Sequence, residues 1–396
     1  MSFPDTDSVV LKTPGASVGE HIRVSLYGAS HAEAVGVRIE GLPAGEMIDT
    51  ASLAAFTARR APGRNALSSA RKEADVPEFL SGVSILPPAG NGADEIPACA
   101  QAQGAAGDPL PARLMTTGDA LSIRIRNTDV TPSDYDDTRF IPRPGHADYP
   151  AYVKYGSIPS GGGVFSARMT APLCAAGGIL LQCLARRGIV IGAHIAEIAG
   201  IADTPFDPVS VSEEALNALC KKPFAVMNDK KGEEMQSAIL RAKADGDSVG
   251  GIVECAILGL PAGTGEPLFG GLDGTLAQLV FGIPAVRGIE FGDGFAASRM
   301  RGSEHNDPYG ISDGRVITKT NHSGGILGGL ANGAPVIFRA AFKPTPSIAR
   351  PQASVDLRTM EQTELAVRGR HDPCVVLRAV PCVEAAAALA LAQYLL

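Results

Sequence analysis

Alternation of apolar and polar positions marks the first strands. His21–Gly28 reads HIRVSLYG and Val35–Glu40 reads VGVRIE, each with the period of two that turns one face to a core. The loop between them carries Ser30 and His31. Thr50–Ala58 has the spacing of a short amphipathic helix, Ala120–Asn127 is strand-like, and Ala171–Arg187 has the length and Ala/Leu content of a buried helix. Ile189–Ile201 predicts one long strand or a strand pair. Ser210–Lys221 and Met235–Ala244 predict helices, Cys255–Leu260 an apolar strand, Leu272–Phe281 a helix and Val336–Phe342 a strand. The last expected elements are a strand after Cys374 and a helix over Val383–Leu395. Residues 1–20 read as a lead-in. Residues 21–396 read as one intertwined α+β domain, because candidate site loops are spread along it with no fixed repeat and no clear linker.

The pattern weakens over Arg143–Thr170, RPGHADYPAYVKYGSIPSGGGVFSARMT. His146 stands in a Pro-Gly turn, Asp148 follows two residues on, and Gly161-Gly162-Gly163 has no side chains at all. A glycine triplet loses the most backbone entropy on folding, so it implies either close approach of backbone to a ligand or positive φ. Ser166 and Arg168 just beyond supply donors suited to an anion, and the N-terminus of the Ala171–Arg187 helix would face the same loop. Pro87–Gly118 is rich in Pro, Gly and Ala and reads as a connection with one short helix. Ser133–Asp137 is a polar turn, and Asn306–Lys319 is polar and turn-rich.

Composition narrows the chemistry. The 396 residues include 46 Gly and 29 Pro but no Trp, with 5% aromatics, which argues against base-stacking platforms for nucleic acid. A net charge of −7 disfavours nucleic-acid and acidic-membrane binding. Against that background, Arg59–Lys72 holds five basic residues and no acid. Pro62 and Gly63 fix the backbone between Arg60 and Arg64, and Glu73 and Asp75 follow as candidate orienting groups. Such a fork of guanidiniums suits a carboxylate- or phosphate-bearing ligand. The seven cysteines never fall in C-x-x-C, which predicts reduced thiols and no metal site. The start, MSFPDTDSVVLKTPGAS, lacks the regions of a signal peptide, and no apolar run approaches the roughly 18 residues of a membrane span. The expectation is a cytoplasmic protein without membrane or nucleic-acid partners.

Two short motifs fail on context. Gly246-Asp247-Ser248-Val249-Gly250 matches the G-x-S-x-G nucleophile elbow, but a helix precedes it and a strand follows, the reverse of what the elbow needs. Gly292-Asp293-Gly294 with Ala297 matches a dinucleotide fingerprint, yet no helix pattern follows. What remains is a set of glycine- or proline-bearing turns holding His31, His146 and His371. Arg60, Arg64, Arg168, Arg287, Lys343 and Arg370 stand near other such turns. Histidine moves protons near neutral pH and arginine holds anions without titrating. Converged, these turns would hold a multiply charged small anion.

In their order along the chain these pieces resemble chorismate synthases. The resemblance rests on Gly28-Ala29-Ser30-His31, Arg60 with Pro62-Gly63 through Asp75, Arg143–Tyr149, Lys154-Tyr155-Gly156, and Gly161–Arg168. It continues through Gly246–Gly251, Leu260–Pro267, Ile283–Gly294, Asn321–Gly329, Lys343-Pro344-Thr345 and Gly369–Pro373. It implies a single large α+β domain, a layered β-α-β sandwich with long glycine-rich active-site loops. It also implies an anti elimination of phosphate from 5-enolpyruvylshikimate 3-phosphate that needs reduced FMN without net redox change. By the same resemblance His31 protonates the departing phosphate, His146 steadies the reduced flavin, and Asp372 assists proton acceptance. The implied flavin contacts are Arg60, Val164, Phe165, Ser166, Pro284, Ala285, Gly328, Lys343, Pro344, Thr345, Pro346, Ser347 and Arg370. The implied substrate contacts are Arg60, Arg64 and Arg168. A homotetramer, NADPH as a candidate reductant and an external flavin reductase as the alternative complete the expectation. The chain departs from the family pattern at Ala29, Ala32, Ala66, Ser160, Val164 and Met169. Backbone is then left to make any flavin contact at Val164 and Phe165.

Overall fold

The computed structural model describes residues 16–63, 67–68, 73–86, 113–129, 139–367 and 371–396. Two five-stranded antiparallel sheets flank a layer of helices. The first runs Ser17–Val18, Arg23–Gly28, Ala34–Glu40, Leu121–Arg126, Glu78–Ser81 in spatial order. The second runs Ile201–Ala202, Val190–Ile198, Gly251–Leu258, Val336–Phe342, Val286–Phe291. Alternation explains the first sheet: Leu121, Ile123 and Ile125 are buried on the helix side, while Arg124 and Arg126 reach Glu78 on the other. The helix Thr170–Ala185 packs on the first sheet and Val376–Leu395 on the second, and the two helices pack on each other. A Cβ on Gly177 would lie 2.5 Å from Ala385 Cα, so this close approach tolerates only small residues.

Most expected elements are present. Thr50–Arg60, Leu272–Phe281 and Val336–Phe342 fall where the pattern placed them, and Ile189–Ile201 resolves into a strand and a short partner. The expected lead-in already joins the first sheet at Ser17–Val18. The strand expected after Cys374 does not form; a single helix spans Val376–Leu395 with Pro381 inside it. Proline ordinarily ends a helical reading because it removes a backbone donor, but burial of nearly the whole helix between the sheets outweighs that loss. Asp229–Ala244 begins before the expected Met235, capped by the Asn228 side chain accepting from the Lys230 and Lys231 amides. The polar run after Asn306 contains a hairpin, Tyr309–Ser312 with Arg315–Thr318. Two helices, Ala167–Ala185 and Val376–Leu395, do reach the length and apolarity of a membrane span, contrary to expectation. Each window is 83% buried, which marks them as core helices.

The second sheet encloses an ion cluster that the pattern gave no reason to expect. His194, fully buried, meets Asp203 at 3.1 Å through Nδ1 and Glu254 at 3.0 Å through Nε2. Backbone amides of Phe206, Met227 and Asn228 donate to the same carboxylates. Burial alone would lower the His194 pKa, but hydrogen bonds to Asp203 and Glu254 outweigh it and raise the pKa. Stabilisation from this cluster is therefore complete below the ordinary histidine pKa of about 6.5 and lost as pH climbs through the raised value. In urea titrations between about pH 6 and pH 9, the wild-type midpoint should fall relative to that of His194→Gln. Parallel midpoints in the two proteins would contradict this.

Candidate active site

The glycine triplet forms the seam of the site. Gly161, Gly162 and Gly163 have φ of 58°, 86° and 54°, all in the left-handed region. A Cβ on Gly161 would stand 2.0 Å from Cε1 of His31, and one on Gly162 would stand 3.0 Å from Cε1 of His146. The bare backbone is thus packed by two imidazoles. The Ser30 amide donates to the Gly163 carbonyl, and Ser30 Oγ donates to the carbonyls of Ser160 and Gly161 at 3.3 and 3.1 Å. Ser30 Oγ also lies 3.1 Å from His31 Nδ1. The strand–loop–strand unit expected at residues 21–40 therefore delivers His31 to the triplet.

His146 is set by its own turn. Asp148, fully buried at the start of the helix Asp148–Tyr155, receives His146 Nδ1 at 2.6 Å and Arg143 Nε at 2.7 Å. Burial works to raise the Asp148 pKa, but the Arg143 and His146 hydrogen bonds hold it well below the usual carboxylate range. Arg143 NH1 continues to Ser347 Oγ at 3.1 Å, and Lys343 Nζ donates to the Gly145 carbonyl. The histidine turn is thereby fastened to the Lys343–Ser347 loop. Burial, and then the nearby Arg287 guanidinium, push the Lys343 ammonium below its ordinary pKa.

Arg60 and Arg168 are both buried and both spend their donors inside the protein. Arg60 bonds Asp75 at 2.5 Å, Thr170 Oγ1 at 2.8 Å and the Ala167 carbonyl at 2.9 Å. Arg168 bonds Asp75, Asn127 Oδ1 at 2.7 Å and the Arg126 carbonyl at 3.0 Å, with Glu73 at 3.4 Å. Asp75 and Glu73 orient the arginines, as their sequence position suggested. Arg59 leaves the site, forming a two-pronged pair with Glu384 at 2.5 and 2.9 Å. Arg64 and Arg370, and Ala66 among the departures, lie outside the described residues.

Around these groups is a cleft of ≈ 580 Å³. Arg60, His146, Val164, Phe165, Ser166, Arg168, Pro284, Ala285, Lys343, Thr345, Pro346, Ser347 and Asp372 all line it. His31 is not among the lining residues; its ring packs against Gly161, which is. Pro344 turns away to pack near Gly250, and Gly328 sits in the turn of the Ile326–Leu327/Leu330–Ala331 hairpin without lining the cleft. His371, singled out in the sequence with the other turn histidines, lines it as well, and lining residues to which the sequence assigned no role include Arg143, Arg378 and Cys382. Arg378 bonds Asp372 at 2.5 Å, and its position inside the helix Val376–Leu395 offered no signal because that stretch reads as strand. Among the described residues six cationic side chains line the cleft (Arg60, Arg143, Arg168, Arg287, Lys343, Arg378) against Glu73 and Asp372 in the wall and Asp75 and Asp148 paired just behind it, an excess of two positive charges. That excess fits an anion in a protein of net charge −7. Ser248 Oγ donates to the Thr345 carbonyl at 2.7 Å and the Val249 amide to the Pro373 carbonyl at 2.9 Å, so the G-x-S-x-G segment ties two site loops together.

The chorismate synthase family model matches residues 22–90 and 112–396. The chain belongs to the chorismate synthase family. It is 43% identical over 388 residues to the chorismate synthase of Lancefieldella parvula, covering 95% of both chains. It is 41% identical over 384 residues to that of Korarchaeum cryptofilum, covering 96% of this chain and 98% of the relative. A crystal structure of a chorismate synthase superposes with a TM-score of 0.67 at 24% identity, covering 95% of this chain and 92% of that one. The fold is that of the family, α+β in sheet–helix–sheet layers, and the activity class is that of a lyase.

The seam makes a sharp prediction. Gly161→Ala adds both the left-handed strain of roughly 1–2 kcal/mol and a direct clash with His31. Gly156→Ala, at φ 78° with nothing within 4 Å, adds the strain alone. Displacing a group in an active site by about 1 Å costs about 10²-fold in rate, so turnover should fall about that far in Gly161→Ala and far less in Gly156→Ala. Equal loss in both would show that the histidine contact is irrelevant.

Proposed function

We propose that the cleft converts 5-enolpyruvylshikimate 3-phosphate to chorismate by anti-1,4-elimination of phosphate, with reduced FMN as cofactor. The observation that carries this reading is the meeting of His31 and His146 across the glycine seam, beside a cation-rich cleft. The substrate bears two carboxylates and a phosphate, so it needs the cationic lining.

The residues present suit a flavin. A volume of ≈ 580 Å³ lies in the usual range for small-molecule sites. Phe281, Ile283, Pro284, Val286 and Phe342 offer an apolar wall for a ring system, and Lys343, Arg287 and Ser347 offer donors for a phosphate tail. When bound, reduced FMN would supply a transient electron that eases phosphate departure and then returns, with no net redox change. Arg60 and Arg168, held rigid by Asp75 and Glu73, present a fixed positive field to the substrate. His31, steadied by Ser30, donates the proton that the leaving phosphate takes up. His146, whose Nδ1 faces Asp148, would take up a proton on Nε2 and in that form steady negative charge on the bound cofactor. Asp372, held by Arg378, provides a carboxylate near the proton-accepting position. Proton transfer by positioned side chains of this kind contributes about 10²–10⁴-fold.

We assign residues 17–396 to one catalytic domain, since Ser17–Val18 is already a strand of the first sheet, and place the enzyme in the cytoplasm as a homotetramer. Leu268 and Phe269 are 87% and 103% exposed, and the Gly328 hairpin adjoins them with half-exposed Leu327 and Leu330. An assembly would cover this apolar surface. Flavin reduction by NADPH on the enzyme itself or by an external reductase completes the cycle, and comparing the two supplies of electrons decides between them.

The test is an anaerobic assay with chemically reduced FMN, following chorismate absorbance and released phosphate. Turnover should require reduced flavin and fall about 10²–10⁴-fold in His31→Ala and His146→Ala. Ser248→Ala should weaken flavin binding only modestly and retain turnover, because its hydroxyl anchors a loop. Turnover without flavin, or its loss in Ser248→Ala alone, would sink the proposal.

A further inference from the structure

We propose that Asp148 is a positioning residue that locks the His146 imidazole with its proton on Nδ1, so that Nε2 is left as the ring's acceptor nitrogen. The inference rests on the reading of His146 as a participating group and adds what fixes its ring.

The hydrogen-bond inventory around Asp148 leaves little freedom. Oδ2 receives the Arg143 backbone amide at 3.0 Å and Arg143 Nε at 2.7 Å. Oδ1 receives Arg143 NH2 at 2.9 Å and faces His146 Nδ1 at 2.6 Å, the shortest contact of the ring; the same NH2 stands 3.2 Å from Nδ1 and 3.4 Å from Nε2. An ionised carboxylate can only accept, so Nδ1 must carry the hydrogen. The opposite edge of the ring faces Gly162, where a Cβ would stand 3.1 Å from Nε2. Glycine at 162 keeps a side chain off that nitrogen, whose polar neighbour is Arg143 NH2 at 3.4 Å. Arg143 balances the buried Asp148 charge, so the ring need not be cationic to keep the carboxylate ionised. Through Ser347 the same guanidinium fixes the unit to the neighbouring loop. The arrangement has the logic of a carboxylate that selects a tautomer for a working histidine.

Asp148→Asn distinguishes this role from simple support. The amide has one oxygen, and two Arg143 donors converge on the Oδ2 position, so the oxygen belongs there. The NH2 then occupies the Oδ1 position and donates to His146 Nδ1, moving the ring proton to Nε2. A merely structural Asp148 would leave the tautomer as it was.

The experiment uses full-length protein labelled with ¹⁵N-histidine, without flavin or substrate, at about pH 8, above the ordinary histidine range. Long-range ¹H–¹⁵N spectra report which ring nitrogen is protonated, and His146 is identified by the signals lost in His146→Gln. Wild type should show a protonated Nδ1 and a bare Nε2, and Asp148→Asn the reverse. In the anaerobic assay kcat should fall about 10²–10⁴-fold in Asp148→Asn, with KM and flavin affinity within about threefold of wild type. A wild-type His146 protonated on Nε2 overturns the proposal, as does a folded Asp148→Asn with wild-type tautomer and kcat. Should that variant not fold, the wild-type spectrum alone decides. If His146→Gln retains full turnover while the wild-type tautomer is as expected, the role of His146 fails and the positioning by Asp148 stands.

Discussion

Contact between two imidazole rings and a backbone without side chains sets the geometry of this site. Three consecutive left-handed residues are costly to order, and glycine alone adopts them without strain. The cost is met locally, since Ser30 binds three carbonyls of the same segment and the Ser166 amide closes back on Gly163. His31 comes from a strand connection in the first sheet and His146 from a turn more than a hundred residues later. The seam is where these two parts of the chain are brought into register.

Behind the seam lies a buried ionic lattice. Asp75 sits at φ 52°, a conformation uncommon for a residue with a side chain, and from there its two oxygens reach Arg60 and Arg168 separately. Buried ion pairs add little net stability, because removing charges from water offsets their attraction. Their value here is geometric: with most of their donors committed, the two guanidiniums are held in fixed positions in the cleft wall. The same design recurs at Arg143–Asp148 and Arg378–Asp372.

Much of the fold was legible because one-sided burial leaves a period. The strands around Val37 and Ile123 and the helix at Leu272–Phe281 repeat at the spacing their environments impose. The helix Val376–Leu395 was partly hidden because it is buried nearly all round and contains Pro381, so neither period nor propensity marked its start. The triplet was legible as a place of close backbone approach, but not as a seat for histidine rings, since nothing local says what approaches. Arg60 and Arg168 were legible as cations, but not as internally satisfied ones, because their partners depend on tertiary placement. His194 lay inside a strand pattern, and its carboxylates come from Asp203 and from Glu254 on the adjacent strand.

The central helix pair has a consequence for how the protein is made. Thr170–Ala185 needs the small residues of Val376–Leu395 to complete its burial, and Arg59 waits for Glu384, 325 positions away. During synthesis Thr170–Ala185 can cover the first sheet, but its own far side and the inner face of the second sheet stand open until Val376–Leu395 has been made. Contacts of such sequence separation close slowly and leave apolar surface uncovered in the interim. A nascent chain of this kind is a natural client for chaperones on and just off the ribosome.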